Sequence, residues 1–372
     1  MKRSTNSRDN KACCFHAISG VLAPNAQSDD GGPVRPLTRA YGVPESSRRP
    51  NVVAFGGGTG LPILLRGLRK LCGDRVCAVV TVADDGGSSG RLRHEFGVAP
   101  PGDIRRCLVA LAGRAQLAEV FEYRFEGGVE LRDHSVGNLI IAALAEMSGG
   151  FCEGVQQAAR FLRVRGSVQP AATESLTLTL HHTDGSVTRG ESTPRDPHRA
   201  VRRVTTEPAG AAAPAAVLRA IEHADLVVLG PGSLFTSTIP ALLGTGTVDA
   251  LRTFRGPVVY AANIMTQPGE TVGFTLSDHL AAIAEHVGPA VTDVLVHHEA
   301  LTADLLSRYA AEGSTPVEVD QQRVMRFGVR LHAANLLPDH IEGEARHHPD
   351  RLAAAVLQIA SRHSGRRAKP TA

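Results

Sequence analysis

The segment Asn51 to Lys70, NVVAFGGGTGLPILLRGLRK, sets the architecture of the chain, because a short apolar strand leads into a glycine-rich loop and then into a helix. Glycines let main-chain N–H groups approach a ligand, and the N-terminus of the helix adds partial positive charge, so the loop suits phosphate. Its spacing, Gly56-x-Gly58-x-Gly60, matches neither the dinucleotide-binding fingerprint nor a P-loop, since no lysine follows. A tight turn that packs the helix against the strand is the alternative. The loop by itself leaves both interpretations open.

Composition excludes two broad classes of protein. The 372 residues carry a formal net charge of +3, 4% aromatic residues and no tryptophan. No basic stripe is interleaved with stacking rings, which argues against a nucleic-acid ligand. No apolar run reaches the roughly 18 residues that a membrane helix needs, and the N-terminal residues lack the apolar centre of a signal peptide. We therefore expect a cytoplasmic protein without membrane insertion and without a nucleic-acid partner.

Short β-branched runs alternate with helical stretches along the body of the chain. This order predicts an α/β fold with a mostly parallel sheet covered by helices. Between about residues 168 and 204 the pattern changes to two alternating segments around Asp184-Gly185, a turn signal that predicts a small β-hairpin excursion. The expected strands of the main sheet are Asn51–Phe55, Val76–Val82, Asp225–Leu229, Pro257–Asn263 and Asp293–His297.

Two terminal segments stand apart from this body. Residues 1–49 are rich in Ser, Asn, Arg, Pro and Gly with little periodicity, and we expect them to be either a disordered N-terminal extension or sequence upstream of the true start. Residues 364–372 are expected to form a basic tail. The intervening residues 50–363 are expected to form a single domain, because a chain with 42% apolar residues can bury one large core.

The second predicted strand ends in VADDGGSSGRLR, Val82 to Arg93, at the carboxyl edge of the sheet where open α/β folds bind ligands. The adjacent acids Asp84 and Asp85 have three interpretations. One of them bonds a ribose hydroxyl, or they hold Mg²⁺ beside a pyrophosphate, or the pair is an ordinary solvated turn. The turn is less favoured, because the following glycines and serines repeat the chemistry of the first loop. Arg91 and Arg93 are available to balance phosphate charge.

Two further motifs open predicted helices. Asp103, in PPGDIR, is expected to cap the helix Ile104–Ala112. Asn138, in DHSVGN, offers amide donors and a carbonyl acceptor to a base or sugar edge. The neighbouring His134 is expected to be structural, since the sequence shows no partner for it.

Two later loops also follow strands. Leu229–Ser237 repeats the strand, glycine loop and helix pattern, and Asn263–Thr271 brings amides and a carboxylate to the same edge. Because parallel strands end at one edge of a sheet, we expect four loops to converge there and to form a nucleotide pocket. Asp84 and Asp85 are also the predicted metal ligands, and no catalytic residue is assigned. The predicted ligand-binding residues are Gly56, Gly57, Gly58, Thr59, Gly60, Asp84, Asp85, Ser88, Ser89, Arg91, Asn138, Gly232, Ser233 and Asn263.

The motifs GGGTG, VADDGGSSGRLR, PPGDIR, HSxGNL, LGPGSLFTS and NIMTQPGET occur in this order over about residues 51–300. This set resembles the gluconeogenesis factor family. The resemblance implies a Rossmann-like cytoplasmic protein that binds nucleotide sugars such as UDP-N-acetylglucosamine, supports growth on gluconeogenic carbon and maintains cell shape and wall synthesis. It does not imply an established reaction.

The same family is related to the 2-phospho-L-lactate transferases of deazaflavin coenzyme biosynthesis. These join a phospholactyl group to a deazaflavin, using a guanosine diphosphate-activated donor and Mg²⁺ held by acidic residues. The resemblance makes Asp84 and Asp85 the counterparts of those acids. Two residues depart from the family pattern, namely Arg106 where Asn is usual and Asp133 where Gly is usual. The added cation and anion either compensate each other or alter ligand preference.

Three functions remain open on this basis. The first is a nucleotide-sugar-binding regulator, with a UDP-sugar or related nucleotide as ligand and with homo-oligomers or protein partners in cell-wall regulation left open. The second is a Mg²⁺-dependent transferase that uses a nucleoside diphosphate-activated donor. The third, an NAD-dependent oxidoreductase, is least favoured, because a dehydrogenase leaves the loops at Gly86 and Gly230 without a role. No tightly bound organic cofactor is expected.

Overall fold

The computed structural model describes residues 35–36, 49–127, 131–191, 193, 196–341 and 343–367. A sheet of eight parallel strands forms its centre, in the order β1-β11-β10-β9-β8-β2-β3-β4. The fold is therefore the expected α/β architecture. The strands of this sheet are β1 (Arg35–Pro36), β2 (Val52–Gly56), β3 (Val76–Val80), β4 (Ser167–Pro170), β8 (Leu226–Leu229), β9 (Val258–Ala261), β10 (Asp293–His297) and β11 (Arg330–Ala334).

The sheet is covered on both faces, and its strands alternate between two apolar cores. Val53 and Phe55 of β2 pack into one core, whereas Val52 and Ala54 pack into the other. Such continuous apolar strands are typical of parallel sheets with helices on both sides. The helices are α1 (Gly60–Cys72), α2 (Gly87–Phe96), α3 (Gly102–Leu111), α4 (Ala115–Glu122), α5 (Val136–Met147), α6 (Phe151–Leu162), α7 (Ala215–Glu222), α8 (Thr247–Thr253), α9 (Leu276–Val287), α10 (Ala303–Ala311), α11 (Gln321–Val324) and α12 (Pro349–Arg367).

The five predicted strands are confirmed, with ends that differ by up to two residues. Three strands of the main sheet were not predicted, namely Arg35–Pro36, Ser167–Pro170 and Arg330–Ala334. Ser167–Pro170 pairs with β3 in the main sheet, so the hairpin excursion begins after it. Arg330–Ala334 carries Arg330 and His332, which interrupt its apolar pattern. Both side chains bond the buried Asp293 on the neighbouring strand, and this contact allows them into the sheet.

The predicted hairpin is present and is part of a separate three-stranded antiparallel sheet. Its strands, β5 (Thr177–His182), β6 (Val187–Arg189) and β7 (Val201–Glu207), lie in the order β6-β5-β7. Gly185 adopts φ +83° at the predicted turn, and the Ser186 N–H donates to Asp184 at 2.9 Å. Leu178 and Leu180 face the main core, so this small sheet extends it.

The terminal segments differ in part from the sequence-based expectation. Arg35–Pro36, inside the predicted extension, forms an edge strand paired with β11. The other residues up to 48 lie outside the described part of the chain. Helix α12 continues through Arg367, four residues into the predicted tail, and residues 368–372 also lie outside the described part. Within the described residues, no helix is both long and apolar enough to cross a membrane.

Candidate functional site

Three glycine loops meet at the carboxyl edge of the main sheet. They are the first loop (residues 57–60, after β2), the second loop (residues 83–90, after β3) and the third loop (residues 230–233, after β8). A Cβ atom on Gly60 would lie only 1.9 Å from the carbonyl oxygen of Pro231, so the first and third loops are in backbone contact. Glycine at position 60 is required by this approach. We call this edge the loop rim.

Asp103 connects helix α3 to the first loop. Its Oδ2 accepts a hydrogen bond from the backbone N–H of Gly58 at 2.5 Å, and the residue is 5% exposed. The prediction that Asp103 caps α3 is wrong, because the helix begins at Gly102 and has no side-chain cap. The carboxylate instead satisfies an amide in a loop that precedes it by 45 positions. Sequence reasoning missed this role, since spacing carries no information about a contact between distant loops.

Arg106 holds the same loop from its other side. Its Nε donates to the carbonyl oxygen of Gly58 at 3.1 Å, and its guanidinium pairs with Asp103. Burial opposes the charge on Arg106, but the carboxylate of Asp103 outweighs that effect and raises the pKa of the arginine. The anion that compensates Arg106 is thus Asp103. Asp133, the other departure from the family pattern, is exposed, and its carbonyl oxygen accepts from Arg124 at 2.8 Å.

The adjacent acids Asp84 and Asp85 contact different parts of the molecule. Asp84 Oδ1 accepts from the Gly86 N–H at 2.9 Å, and its carboxylate interacts with Asp103. Burial raises the pKa of Asp84, and the negative charge of Asp103 raises it further. Asp85 Oδ1 accepts from the Glu191 N–H at 2.9 Å, in the connection between β6 and β7. Asp85 therefore joins the small sheet to the loop rim.

These contacts fit poorly with the predicted metal ligands. Asp85 is engaged by the Glu191 amide, and the acid that interacts with Asp84 is Asp103, whose two oxygens contact Arg106 and Gly58. Mg²⁺ requires oxygen ligands in a nearly ideal octahedral arrangement. Among the residues that the structure describes, no group of three or more His, Cys, Asp or Glu side chains is arranged to hold a metal ion.

A buried polar network supports the second loop. Asn138 donates to Ser88 Oγ at 3.0 Å and accepts from Arg105 Nε at 3.1 Å, and Ser88 also bonds His134 at 3.1 Å. Asn138 is 1% exposed. Burial lowers the pKa of Arg105 to about 10. The predicted ligand residues Ser88 and Asn138 thus lie in an internal network, which links helices α2, α3 and α5.

Other predicted residues of the second loop are distributed around this network. Ser89 is buried, and its Oγ accepts from the Gly102 N–H at 3.1 Å, next to Asp103. Arg91 is exposed and donates to the carbonyl oxygen of Arg132 at 2.6 Å. Gly87 is exposed, has φ +50° and would have no atom within 4 Å of an added Cβ. The mouth of the second loop is therefore open at Gly87.

The third loop is held by side chains that follow β9. Asn263 bonds the backbone of Gly232 twice, accepting from its N–H at 3.1 Å and donating to its carbonyl oxygen at 2.7 Å. Gln267 donates to Ser233 Oγ at 2.9 Å. The buried Glu270 accepts from the Phe235 N–H at 2.8 Å. The structure thus brings the predicted residues Gly232, Ser233 and Asn263 together.

Two histidines near the same edge were not predicted from the sequence. His297 ends β10, and its Nδ1 accepts from the Leu336 N–H at 3.2 Å. His347 hydrogen-bonds the backbone of Ala262, beside Asn263. Burial lowers the pKa of each ring to about 4, so both are neutral at pH 7. Their positions arise from strand order, which a local sequence signal does not reveal.

Helices α1 and α2 present their N-termini to the loop rim. The residues that flank them, Thr59 and Gly86, make no side-chain cap. The first N–H groups of a helix have no partner within the helix, and the helix dipole favours negative charge there. Because β2 and β3 are adjacent parallel strands, the two N-termini are neighbours. This arrangement suits a ligand with two linked anionic groups.

Comparisons with known proteins show the family to which this chain belongs. Residues 52–337 match the family described as 2-phospho-L-lactate transferase CofD. A putative gluconeogenesis factor of Nostoc sp. is 42% identical over 345 residues, covering 92% of this chain and 74% of that protein. The gluconeogenesis factor of Halalkalibacterium halodurans is 42% identical over 313 residues, covering 84% of this chain and 97% of that protein.

Solved structures show the same fold. A crystal structure of a Bacillus halodurans protein superposes with a TM-score of 0.80 at 41% identity, covering 83% of this chain and 100% of that chain. The identities and coverage exceed what a shared fold alone requires. The chain therefore belongs to the CofD family, and to the gluconeogenesis factors among its members.

Proposed function

We propose that the loop rim binds a nucleotide sugar of the UDP-N-acetylglucosamine type, and that the protein acts in the cytoplasm to support growth on gluconeogenic carbon and to maintain cell shape. The observation that carries the proposal is the pair of uncapped helix N-termini at α1 and α2, which open from adjacent glycine loops. Each N-terminus suits one phosphate of a diphosphate. The third loop, packed on the first, supplies further backbone groups beside them.

The test is a comparison of nucleotides on the purified full-length protein. UDP-N-acetylglucosamine, GDP and NAD are titrated by calorimetry, and the melting temperature is measured with each. A ligand that binds only the folded state stabilises it by about 2.7 kcal/mol at a hundredfold excess over its dissociation constant. We expect the UDP-sugar to raise the melting temperature and NAD to have little effect. Stabilisation by NAD alone would contradict the proposal.

A charge variant tests whether the ligand binds at the first loop. Thr59 is exposed and precedes α1. In Thr59→Glu the added negative charge interacts favourably with the helix dipole, but it repels an anionic ligand bound at the same N-terminus. We expect at least a tenfold weaker affinity for the nucleotide with no loss of thermal stability. Thr183→Glu, at an exposed position beside the hairpin turn, is the matched control and should bind as the unmodified protein does.

A second function is favoured by one observation, the match of residues 52–337 to a family of 2-phospho-L-lactate transferases. In this alternative the loop rim holds a nucleoside diphosphate-activated donor, an acceptor takes the activated group together with the terminal phosphate, and the bond between the two phosphates breaks to release the nucleoside monophosphate. Product analysis by mass spectrometry, with the bound nucleotide and candidate acceptors, distinguishes a transferase from a binding protein. Release of the nucleoside monophosphate or formation of a new adduct identifies transfer, whereas a nucleotide recovered intact supports binding alone.

A further inference from the structure

Arg106 lies beside two carboxylates of the loop rim, Asp84 and Asp103. Its Nε donates to Gly58 at 3.1 Å and its guanidinium pairs with Asp103, so it joins the peptide group of the first loop to helix α3. It also interacts electrostatically with Asp84. One guanidinium therefore acts on both carboxylates that face each other beside the first and second loops.

The oxygens of these two acids are already committed. Asp103 Oδ1 contacts Arg106 and Oδ2 accepts from Gly58, while Asp84 Oδ1 accepts from Gly86 and the carboxylate also bonds Ser89. A magnesium ion at this position needs oxygen ligands at about 2.0–2.1 Å. It would have to displace the guanidinium and break the bond to Gly58. The donor set thus disagrees with the magnesium site that the resemblance implies.

The same guanidinium retains a donor group for a ligand. The Arg106 side chain is 30% exposed, and within the described part of the chain its Nη1 makes no hydrogen bond with the protein. Arginine binds phosphate oxygens through charge-assisted hydrogen bonds and stays protonated at any physiological pH. Its Nε and Nη2 contacts keep the group in place before a ligand arrives.

We propose that Arg106 takes the place of a divalent metal ion at the loop rim, so that this chain binds the diphosphate of its nucleotide through an arginine and backbone amides without Mg²⁺. The inference rests on the proposed nucleotide site for its ligand, but it makes a separate claim about metal binding. That claim can be measured with no nucleotide present.

The first experiment titrates Mn²⁺, a spectroscopic substitute for Mg²⁺, into the ligand-free protein and follows free Mn²⁺ by electron paramagnetic resonance. We expect no binding by the unmodified protein in the range where Arg106→Asn binds one equivalent, with at least a tenfold difference in affinity. Asn removes the charge and frees the oxygens of Asp103. Arg91→Asn removes another arginine of the same edge and serves as the matched control, which should stay without Mn²⁺ binding. Stoichiometric Mn²⁺ binding by the unmodified protein, abolished by Asp84→Asn, would overturn the proposal.

The second experiment measures nucleotide affinity with Mg²⁺ and with EDTA. The nucleotide affinity of the unmodified protein should differ by less than twofold between the two conditions. The nucleotide affinity of Arg106→Asn should be at least tenfold weaker in EDTA and should be restored by Mg²⁺. Arg106→Lys keeps a positive charge, so its nucleotide affinity should remain independent of Mg²⁺. This variant provides the test if Arg106→Asn does not fold. A tenfold loss of nucleotide affinity by the unmodified protein in EDTA would refute the inference. If the unmodified protein binds no nucleotide in either condition, the proposed function fails, and the Mn²⁺ titration still decides the role of Arg106.

Discussion

Asp103 and Gly58 are joined by a hydrogen bond from the glycine N–H to the aspartate Oδ2, across 45 positions of sequence. Because the same carboxylate pairs with Arg106, and Arg106 donates to the carbonyl oxygen of Gly58, both polar groups of this glycine are held from helix α3. The first loop is thus given its shape by side chains outside it. A loop that is already ordered loses less conformational entropy when it binds a ligand.

Removal of the Asp103 carboxylate should weaken both the fold and the site. In Asp103→Ala the Gly58 N–H and the Arg106 guanidinium lose their partner, and we expect a loss of about 2 kcal/mol in the free energy of unfolding. Urea denaturation measures it. Asp249→Ala removes an exposed carboxylate that pairs with Arg252 and is 82% exposed, so its effect should stay below about 1 kcal/mol. Equal losses in the two variants would show that Asp103 has no special role.

The two adjacent acids should respond to substitution in opposite ways. Burial raises the pKa of Asp84, so its ionised form is disfavoured in the folded state, and Asp84→Asn should leave the melting temperature at pH 7 unchanged or raised. As the pH falls and Asp84 takes up a proton, the difference from the unmodified protein should shrink. Asp85→Ala removes the acceptor of the Glu191 N–H and should cost about 1 kcal/mol.

Thermal melts from pH 4 to pH 8 measure the first effect, and hydrogen exchange at the Glu191 amide measures the second. A lower melting temperature for Asp84→Asn at pH 7 would contradict the effect of burial. Unchanged exchange at Glu191 in Asp85→Ala would show that this carboxylate does not hold the small sheet.

Asn138 should behave as a structural residue. Asn138→Ala leaves the buried Arg105 and Ser88 without one partner each, and we expect a loss of about 2 kcal/mol in unfolding free energy. Gln157→Ala, an exposed amide on α6, is the control and should change stability by less than about 0.5 kcal/mol. A variant at position 138 that folds with normal stability but binds nucleotide weakly would restore the interpretation of Asn138 as a direct ligand contact.

The cluster around Asp293 should make the protein sensitive to acid. Asp293 is fully buried and accepts from Arg330 at 2.9 and 2.8 Å, from His332 at 2.7 Å and from His363 at 3.1 Å. These hydrogen bonds outweigh burial and hold the pKa of Asp293 well below its usual range. A carboxylate with a depressed folded-state pKa stabilises the fold above its unfolded pKa of about 4, and this contribution is lost as the pH falls below that value.

Asp293→Asn should therefore destabilise the protein by about 3 kcal/mol at pH 7, because it leaves buried donors with an uncharged partner. The difference in unfolding free energy between Asp293→Asn and the unmodified protein should be smaller at pH 3 than at pH 7. Urea denaturation at both values tests this, with Asp249→Asn as the exposed control. A difference that stays constant between pH 7 and pH 3 would contradict the assigned role of the carboxylate.

Local patterns predicted the elements of this fold well. The run Val52–Gly56, the glycines after it and the helix Gly60–Cys72 follow from apolar alternation, glycine spacing and helical periodicity. The hairpin turn at Asp184-Gly185 was also read directly from its residues. Strand β11 was not predicted, because the polar residues Arg330 and His332 interrupt the apolar pattern of its sequence. They are accommodated in the sheet because both side chains bond Asp293 on the neighbouring strand.

Contacts across the sheet edge determine which partner each polar side chain of these motifs has in the folded protein. The residue types in the glycine loops already indicated a site for phosphate, since glycines after a strand and before a helix expose backbone N–H groups whatever their surroundings. Strand order and the approach of α3 to the first loop decide three relationships that the residue types leave open. These are whether Asp84 and Asp85 act together, whether Asp103 caps its own helix, and which anion compensates Arg106. Those relationships are electrostatic and short-ranged, so they exist only after the folded chain has brought residues 58, 84, 103 and 106 together.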